Sequence, residues 1–335
     1  MVSYKQIQAS NALISDATIP GVSVFVGGTA GIGKYTIEAL VRTGQASKIY
    51  LIGRKSSHER LKGFIKDMHD INPKAEIIWT EGEVSLLAES KRICDIIRSK
   101  ESRVDLLFLT AGYAPFGPRE ETSEGIDISQ SLRYYSRMAF TVNLLPLLNQ
   151  SEAGRVVSVL MGGFESTGIN LDDLGLKEPG NFGPIQSHKH AGAMNTLFME
   201  QLALENPDIT FIHSHPGLVN TGNARRGFEQ VPNSVTSWFF WLVVEPIIAL
   251  VGTSHEKSGQ LYLFQSTSAA FGGRGIPWGG KAGLNTLGKP ANGTFLVNSW
   301  CDTTLNAKVL RVLRENGARE KIWEHTQQLL QFFSV

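Results

Sequence analysis

The chain has 335 residues, of which 42% are hydrophobic and 19% charged, and a net charge of +1. That is ample for a sizeable core, and it argues against a disordered chain and against nucleic acid or an acidic polymer as partner. Two cysteines, Cys94 and Cys301, are too few for a disulfide framework or a cysteine-built metal site, so reduced thiols in a cytoplasmic protein are expected.

The first twenty residues contain no apolar run of signal-peptide length. Short β-rich runs then alternate with helical patterns. Strands are expected at 22–26, 48–52, 75–80, 104–110, 154–160, 209–214 and 260–265. These runs are continuously apolar rather than alternating, as parallel strands covered on both faces require. Strand–helix alternation predicts an α/β fold, a Rossmann-type doubly wound parallel sheet of about seven strands. One domain is read over 18–270, including a long greasy loop at about 222–258. A C-terminal extension, 271–335, closes with one or two amphipathic helices packed on the same domain.

The most apolar segment, "WFFWLVVEPIIALVG" at 238–252, is interrupted by Glu245–Pro246. It falls short of the ~20 apolar residues a membrane span needs. It reads as a buried or partner-facing helix pair; a membrane-surface contact or a lid over an apolar substrate stays open. Trp238, Phe239, Phe240 and Trp241 point to a bulky apolar ligand or to a contact between copies of the chain.

After the first strand comes "VGGTAGIGKYT", in which Gly27, Gly31 and Gly33 make a G-x-x-x-G-x-G turn into a helix. Glycine permits the tight turn and lets backbone N–H groups approach a pyrophosphate at a helix N-terminus. The cofactor set expected at this turn is Gly27, Thr29, Gly31, Ile32 and Gly33. The second strand ends "YLIGRK", with Arg54 and Lys55 where an NAD site would carry an acidic residue for the ribose hydroxyl. A 2′-phosphate needs cationic donors, so NADP(H) is expected over NAD(H), with Lys34 as a third positive charge.

This glycine spacing resembles that of the short-chain dehydrogenase/reductase family, over roughly residues 20–270, with Val26 where the family usually has threonine. Three further stretches carry the resemblance. "TAG" places Ala111 and Gly112 at the end of the fourth strand, and "EGEVS" places Glu83 and Val84 where the family lines the adenine. "HPGLVNT" places Pro216, Gly217, Val219 and Thr221 where it embraces the nicotinamide carboxamide. Filamentous-fungal members of natural-product pathways look most similar, which implies a bulky polyketide, terpenoid or alkaloid type of substrate.

The resemblance implies a Ser-Tyr-Lys set assisted by an asparagine, and this chain departs from it at all four places. Met161 stands in the serine position, His188 in that of tyrosine, Gly192 in that of lysine and Arg133 in that of asparagine. Ser158 lies three residues too early. The candidate proton donors are His188, His190 and Tyr134, with Tyr135 and Tyr113 as further phenols. Imidazole titrates near neutrality and can give or take a proton without a large shift. Each has a plain alternative: an exposed polar helix start for the histidines, partial burial for the tyrosines. No H-E-x-x-H or C-x-x-C occurs, and His188, His190, His213 and His215 are not expected to hold a metal.

Three functions stay open on the sequence. The first is an NADP(H)-dependent reductase of a carbonyl, imine or enone, using a non-standard proton donor. The second is a redox-silent cyclase, isomerase or dehydratase on the same scaffold. The third is a non-catalytic NADP(H)-binding protein. Fold analogy alone does not choose among them.

Overall fold

A computed structural model describes residues 2–219, 221, 238, 242, 246 and 252–333. The substrate loop expected at about 222–258 and the aromatic segment at 238–252 fall largely outside the described residues.

After a first helix, α1 (Tyr4–Asn11), the apolar runs form β1 (Val22–Val26), β2 (Ser47–Gly53), β3 (Ala75–Glu81), β4 (Leu106–Leu109), β5 (Arg155–Val159) and β6 (Thr210–Ser214). The sheet closes with β7 (Thr294–Val297) and the two-residue β8 (Thr303–Thr304). The strand order is β3-β2-β1-β4-β5-β6-β7-β8. Every pairing is parallel except that of β7 with β8. Both faces are covered, so β1, β4 and β5 bury nearly every side chain, which is why these strands read as unbroken apolar runs.

The connecting helices are α2 (Gly31–Val41), α3 (His58–Ile71) and α4 (Leu87–Lys100). A single turn, α5 (Ile128–Gln130), leads through a π-helical turn at Ser131–Tyr135 into α6 (Ser136–Leu148). Then come α7 (Pro184–Glu205), α8 (His255–Thr267), α9 (Ala307–Glu315) and α10 (Ala318–Phe332).

Two expectations need correction. The run 260–265 is not a strand but the middle of α8. It is apolar because Leu261, Tyr262, Leu263 and Phe264 are all buried, and a buried helix and a buried strand give the same short signal. Ser254 caps this helix by accepting from Lys257 N–H, and Gly259 lets it press on α2, where a Cβ would lie 2.5 Å from the Tyr35 carbonyl. Among the described residues the sheet has eight strands, where about seven were expected. Its last two come from beyond residue 270, within the stretch expected to be a helical extension, and α9 and α10 follow them.

Sheet order reverses direction between β1 and β4, with β2 and β3 to one side and β5 onward to the other. Open α/β sheets bind ligands at such a switch point, outside the C-terminal strand ends. Among the described residues, no helix is long and apolar enough to cross a membrane.

Candidate active site

A cleft of about 950 Å³ opens at that switch point. Its floor is the turn after β1. Gly27 has φ +100°, and a Cβ there would lie 2.4 Å from Ala111 N. Gly31 has φ +57°, and its Cβ would lie 2.7 Å from the Thr221 side chain. Neither position accepts a larger residue without strain. Thr110 Oγ1 donates to the Gly27 carbonyl at 3.0 Å, tying the turn to the end of β4. Ala30, the N-cap of α2, makes no side-chain cap bond, and a helix N-terminus without such a cap suits an anion.

Most residues singled out for the cofactor meet here. Gly27, Thr29, Gly31, Ile32, Arg54, Glu83, Val84, Ala111, Gly112, Pro216, Gly217, Val219 and Thr221 all line the cleft. Gly33 is buried behind the turn, where a Cβ would lie 2.8 Å from the Gly27 carbonyl. Lys55 is exposed and opens a short 3₁₀ turn, Lys55–Ser57, without lining the cleft. Lys34 lies over the Phe64 ring, 4.6 Å from its centroid. In the stretch expected to line the adenine, Glu83 Oε1 accepts from Ser85 Oγ at 3.0 Å. Glu83 is the one carboxylate lining the cleft among the described residues.

Beyond the end of β4 the cleft is bounded by Val159 at the end of β5, by Leu160 and Met161 after it, by His188 on α7, and by Arg133 and Arg137. His188 Nδ1 lies 2.6 Å from the Pro184 carbonyl. A carbonyl oxygen only accepts, so Nδ1 carries the hydrogen and Nε2 presents a lone pair. Burial, then the neighbouring Arg133 charge, hold the ring at a pKa of about 4 despite the Pro184 bond. At neutral pH His188 is therefore a hydrogen-bond acceptor. Gly192, one turn on, would place a Cβ 3.8 Å from Met161 Cβ, so this wall is apolar.

The other two proposed proton donors do not reach the cleft, and their assignment is corrected. Tyr134 is fully buried, its hydroxyl 2.6 Å from Thr326 Oγ1 on α10, and its ring packs edge-on against Phe198. Tyr135 likewise bonds His325, at 2.8 Å. Their helix does border the cleft, but these two positions face the C-terminal helices. His190 is buried and accepts the Asn170 N–H at 2.9 Å, because residues two apart on α7 point to different sides. Tyr113 lines the cleft.

Sequence reasoning missed two groups. Arg137 is buried and donates to Ser158 Oγ, to the Val159 and Ala111 carbonyls and to the Leu132 carbonyl, so it clamps the ends of β4 and β5 together. Two arginines four apart in the apolar stretch "LRYYSRMAF" were the available signal. The second is a buried chain behind Met161. Met161 N–H donates to His213 Nε2 (3.1 Å), and His213 Nδ1 meets Thr196 Oγ1 (2.7 Å). Thr196 Oγ1 donates to Glu165 Oε1 (2.8 Å), which also accepts from Gly163 N–H. Asn306 Nδ2 donates to Glu165 Oε2. Its members lie far apart in the chain and carry no local motif. Among the described residues no group of three His, Cys, Asp or Glu side chains is placed to hold a metal ion.

This geometry defines a doubly wound α/β protein with a cleft at its switch point, and comparison with known proteins narrows it. The short chain dehydrogenase family model matches residues 22–166. An oxidoreductase of Emericella nidulans, AN1596, is 36% identical over 98% of both chains. An oxidoreductase of an Aspergillus species with an NmrA-like family domain, notO, is 33% identical over 98% of this chain and 94% of its own. Among solved structures, YwfH, an NADPH-dependent reductase involved in bacilysin biosynthesis, shares the fold with a TM-score of 0.53, 20% identity, and 74% and 91% of the two chains covered. The chain belongs to the short-chain dehydrogenase/reductase family of oxidoreductases and resembles fungal members of it.

Proposed function

We propose that the protein is an NADP(H)-dependent oxidoreductase acting on a carbonyl, imine or enone of a bulky apolar substrate of natural-product type. The observation that carries this reading is the cleft itself. It joins the uncapped N-terminus of α2 at the glycine turn to Arg54 at the end of β2. Arg54 is exposed and forms no ion pair among the described residues, so its planar fork is open to a 2′-phosphate. Gly27 and Gly31 would cradle the diphosphate, Glu83 and Val84 would border the adenine, and Pro216, Gly217, Val219 and Thr221 the nicotinamide. When bound, the nicotinamide supplies or receives a hydride.

The chain's own residues then have distinct tasks. Leu132, Leu160 and Met161 give the reaction end an apolar lining. His188, neutral with its Nε2 lone pair free, accepts a hydrogen bond from a substrate hydroxyl, but its depressed pKa makes it a weak base for taking that proton in the oxidative direction. As a donor in the reductive direction it needs to be protonated first, which its depressed pKa opposes near neutrality. An iminium or enone, which requires less acid help than a ketone, therefore suits this site better.

The apolar residues Met161 and Gly192, beside a non-acidic His188, also favour a second reading, a redox-silent cyclase, isomerase or dehydratase. Nicotinamide absorbance decides between them. Turnover of an enone, imine or ketone panel with stoichiometric loss of NADPH supports the oxidoreductase. Turnover of such compounds that proceeds alike with NADP⁺ and NADPH supports the redox-silent enzyme.

A further inference from the structure

Among the described residues three arginines are buried, and their hydrogen bonding differs. Arg155 donates to the Gln265, Ser268 and Gly272 carbonyls, and Arg137 makes the strand-end clamp described above. Arg133 is as deeply buried, at 2% exposure, yet among the described residues neither Nη1 nor Nη2 has a hydrogen-bond partner. It forms no ion pair among the described residues; Asp127 is the only carboxylate whose charge it feels appreciably. A guanidinium holds five N–H donors, and leaving them unmet in a buried place is costly.

The backbone around it is built rather than incidental. Arg133 lies in the π-helical turn Ser131–Tyr135, where the Ser136 N–H reaches back five residues to the Ser131 carbonyl. Such turns recur at functional sites. Asn195 Nδ2 donates to the Arg133 carbonyl at 2.9 Å, pinning the turn to α7. Gly112 makes room for the side chain: a Cβ there would lie 3.1 Å from Arg133 Cγ. The residue lines the same cleft as His188 and Arg137, and both feel its charge. Burial lowers its pKa only to about 10, so it remains a cation at neutral pH.

We propose that Arg133 anchors an anionic oxygen of the substrate, a carboxylate or an acidic enol, at the reaction end of the cleft. This rests on the NADP(H) reading above and deepens it by naming the substrate class: apolar and bulky, but bearing one acidic oxygen. The guanidinium fork meets two oxygens or one localised oxyanion, and the apolar lining takes the carbon skeleton. His188, neutral and accepting, brings no second positive charge to compete for that oxygen.

The test uses purified full-length protein saturated with NADP⁺, titrated by fluorescence with naphthoate and, in parallel, with the uncharged naphthamide. Wild type is expected to bind naphthoate at least about tenfold more tightly than the amide, the ratio a charge-assisted hydrogen bond supplies. Arg133→Gln is expected to bind the two alike, and Arg133→Lys to keep part of the preference. NADP⁺ affinity is expected to stay within about twofold in both variants. The urea midpoint of the nucleotide-free Arg133→Gln protein is expected to be unchanged or higher, since an unpaired buried charge has been removed. Equal binding of both probes by wild type overturns the proposal, as does a preference that survives Arg133→Gln. Parallel loss of NADP⁺ affinity makes Arg133 a cofactor ligand instead, and a lowered midpoint in both variants makes it structural. Absence of NADP⁺ binding to wild type is a different result: it sinks the parent reading before any probe is added.

Discussion

Acidification tests the buried chain behind Met161. His213 has no exposed surface, and burial, followed by the charge of Arg137 and the neighbouring His215, depresses its pKa to about 3. Glu165 Oε1 lies 3.7 Å from Nδ1 and on its own would favour the imidazolium. Protonation, however, would turn Nε2 into a donor facing the Met161 N–H, two donors with no acceptor between them. The unfolded ring titrates near 6.5, so between that pH and about 3 the unfolded chain binds the extra proton and the folded one does not. The neutral ring's contribution is thus whole above about pH 6.5 and is lost progressively as pH falls. At pH 5 the loss amounts to about 2 kcal/mol from this one residue. Urea titrations at pH 7 and pH 5 measure it, with His213→Gln as control, because the other depressed histidines remain in both proteins and cancel. Wild type is expected to lose about 2 kcal/mol more than the variant on acidification. Equal losses in the two proteins would refute both the neutral ring and its bond to Met161.

Gly31→Val forces a branched side chain into a left-handed backbone and against Thr221. It should lower nucleotide affinity by at least about tenfold, and unaltered quenching of protein fluorescence by NADPH would place the diphosphate elsewhere. Arg54→Ala should weaken NADPH binding about tenfold and leave NADH binding alone; equal effects on the two would deny Arg54 its role at the phosphate. Tyr134→Phe removes the bond to Thr326, so it should cost about 1 kcal/mol of stability in urea without changing turnover. A large drop in kcat would return Tyr134 to the reaction.

The parts legible in the sequence were those fixed by local demands. Gly27 and Gly31 advertise a backbone that other residues resist, and β1, β4 and β5 advertise burial on both faces. The run at 260–265 misled because that part of helix α8 is buried on nearly every side, where periodicity carries no information. Strand β7 lay hidden in a Gly- and Pro-rich stretch and is held in place by β6, some eighty residues earlier. The side-chain roles needed distant partners: Thr326 for Tyr134, Asn306 for Glu165. The resemblance to the family's pattern placed Met161 and His188 at the cleft, whereas the tautomer of His188 depends on the Pro184 carbonyl one turn before it.

The central claim is that this cleft takes a phosphorylated nicotinamide dinucleotide. Calorimetric titration of the purified protein with NADPH, NADP⁺, NADH and NAD⁺ tests it most directly. One site per chain is expected, with the 2′-phosphorylated forms bound at least about tenfold more tightly than their counterparts. Heat of binding from none of the four would contradict it.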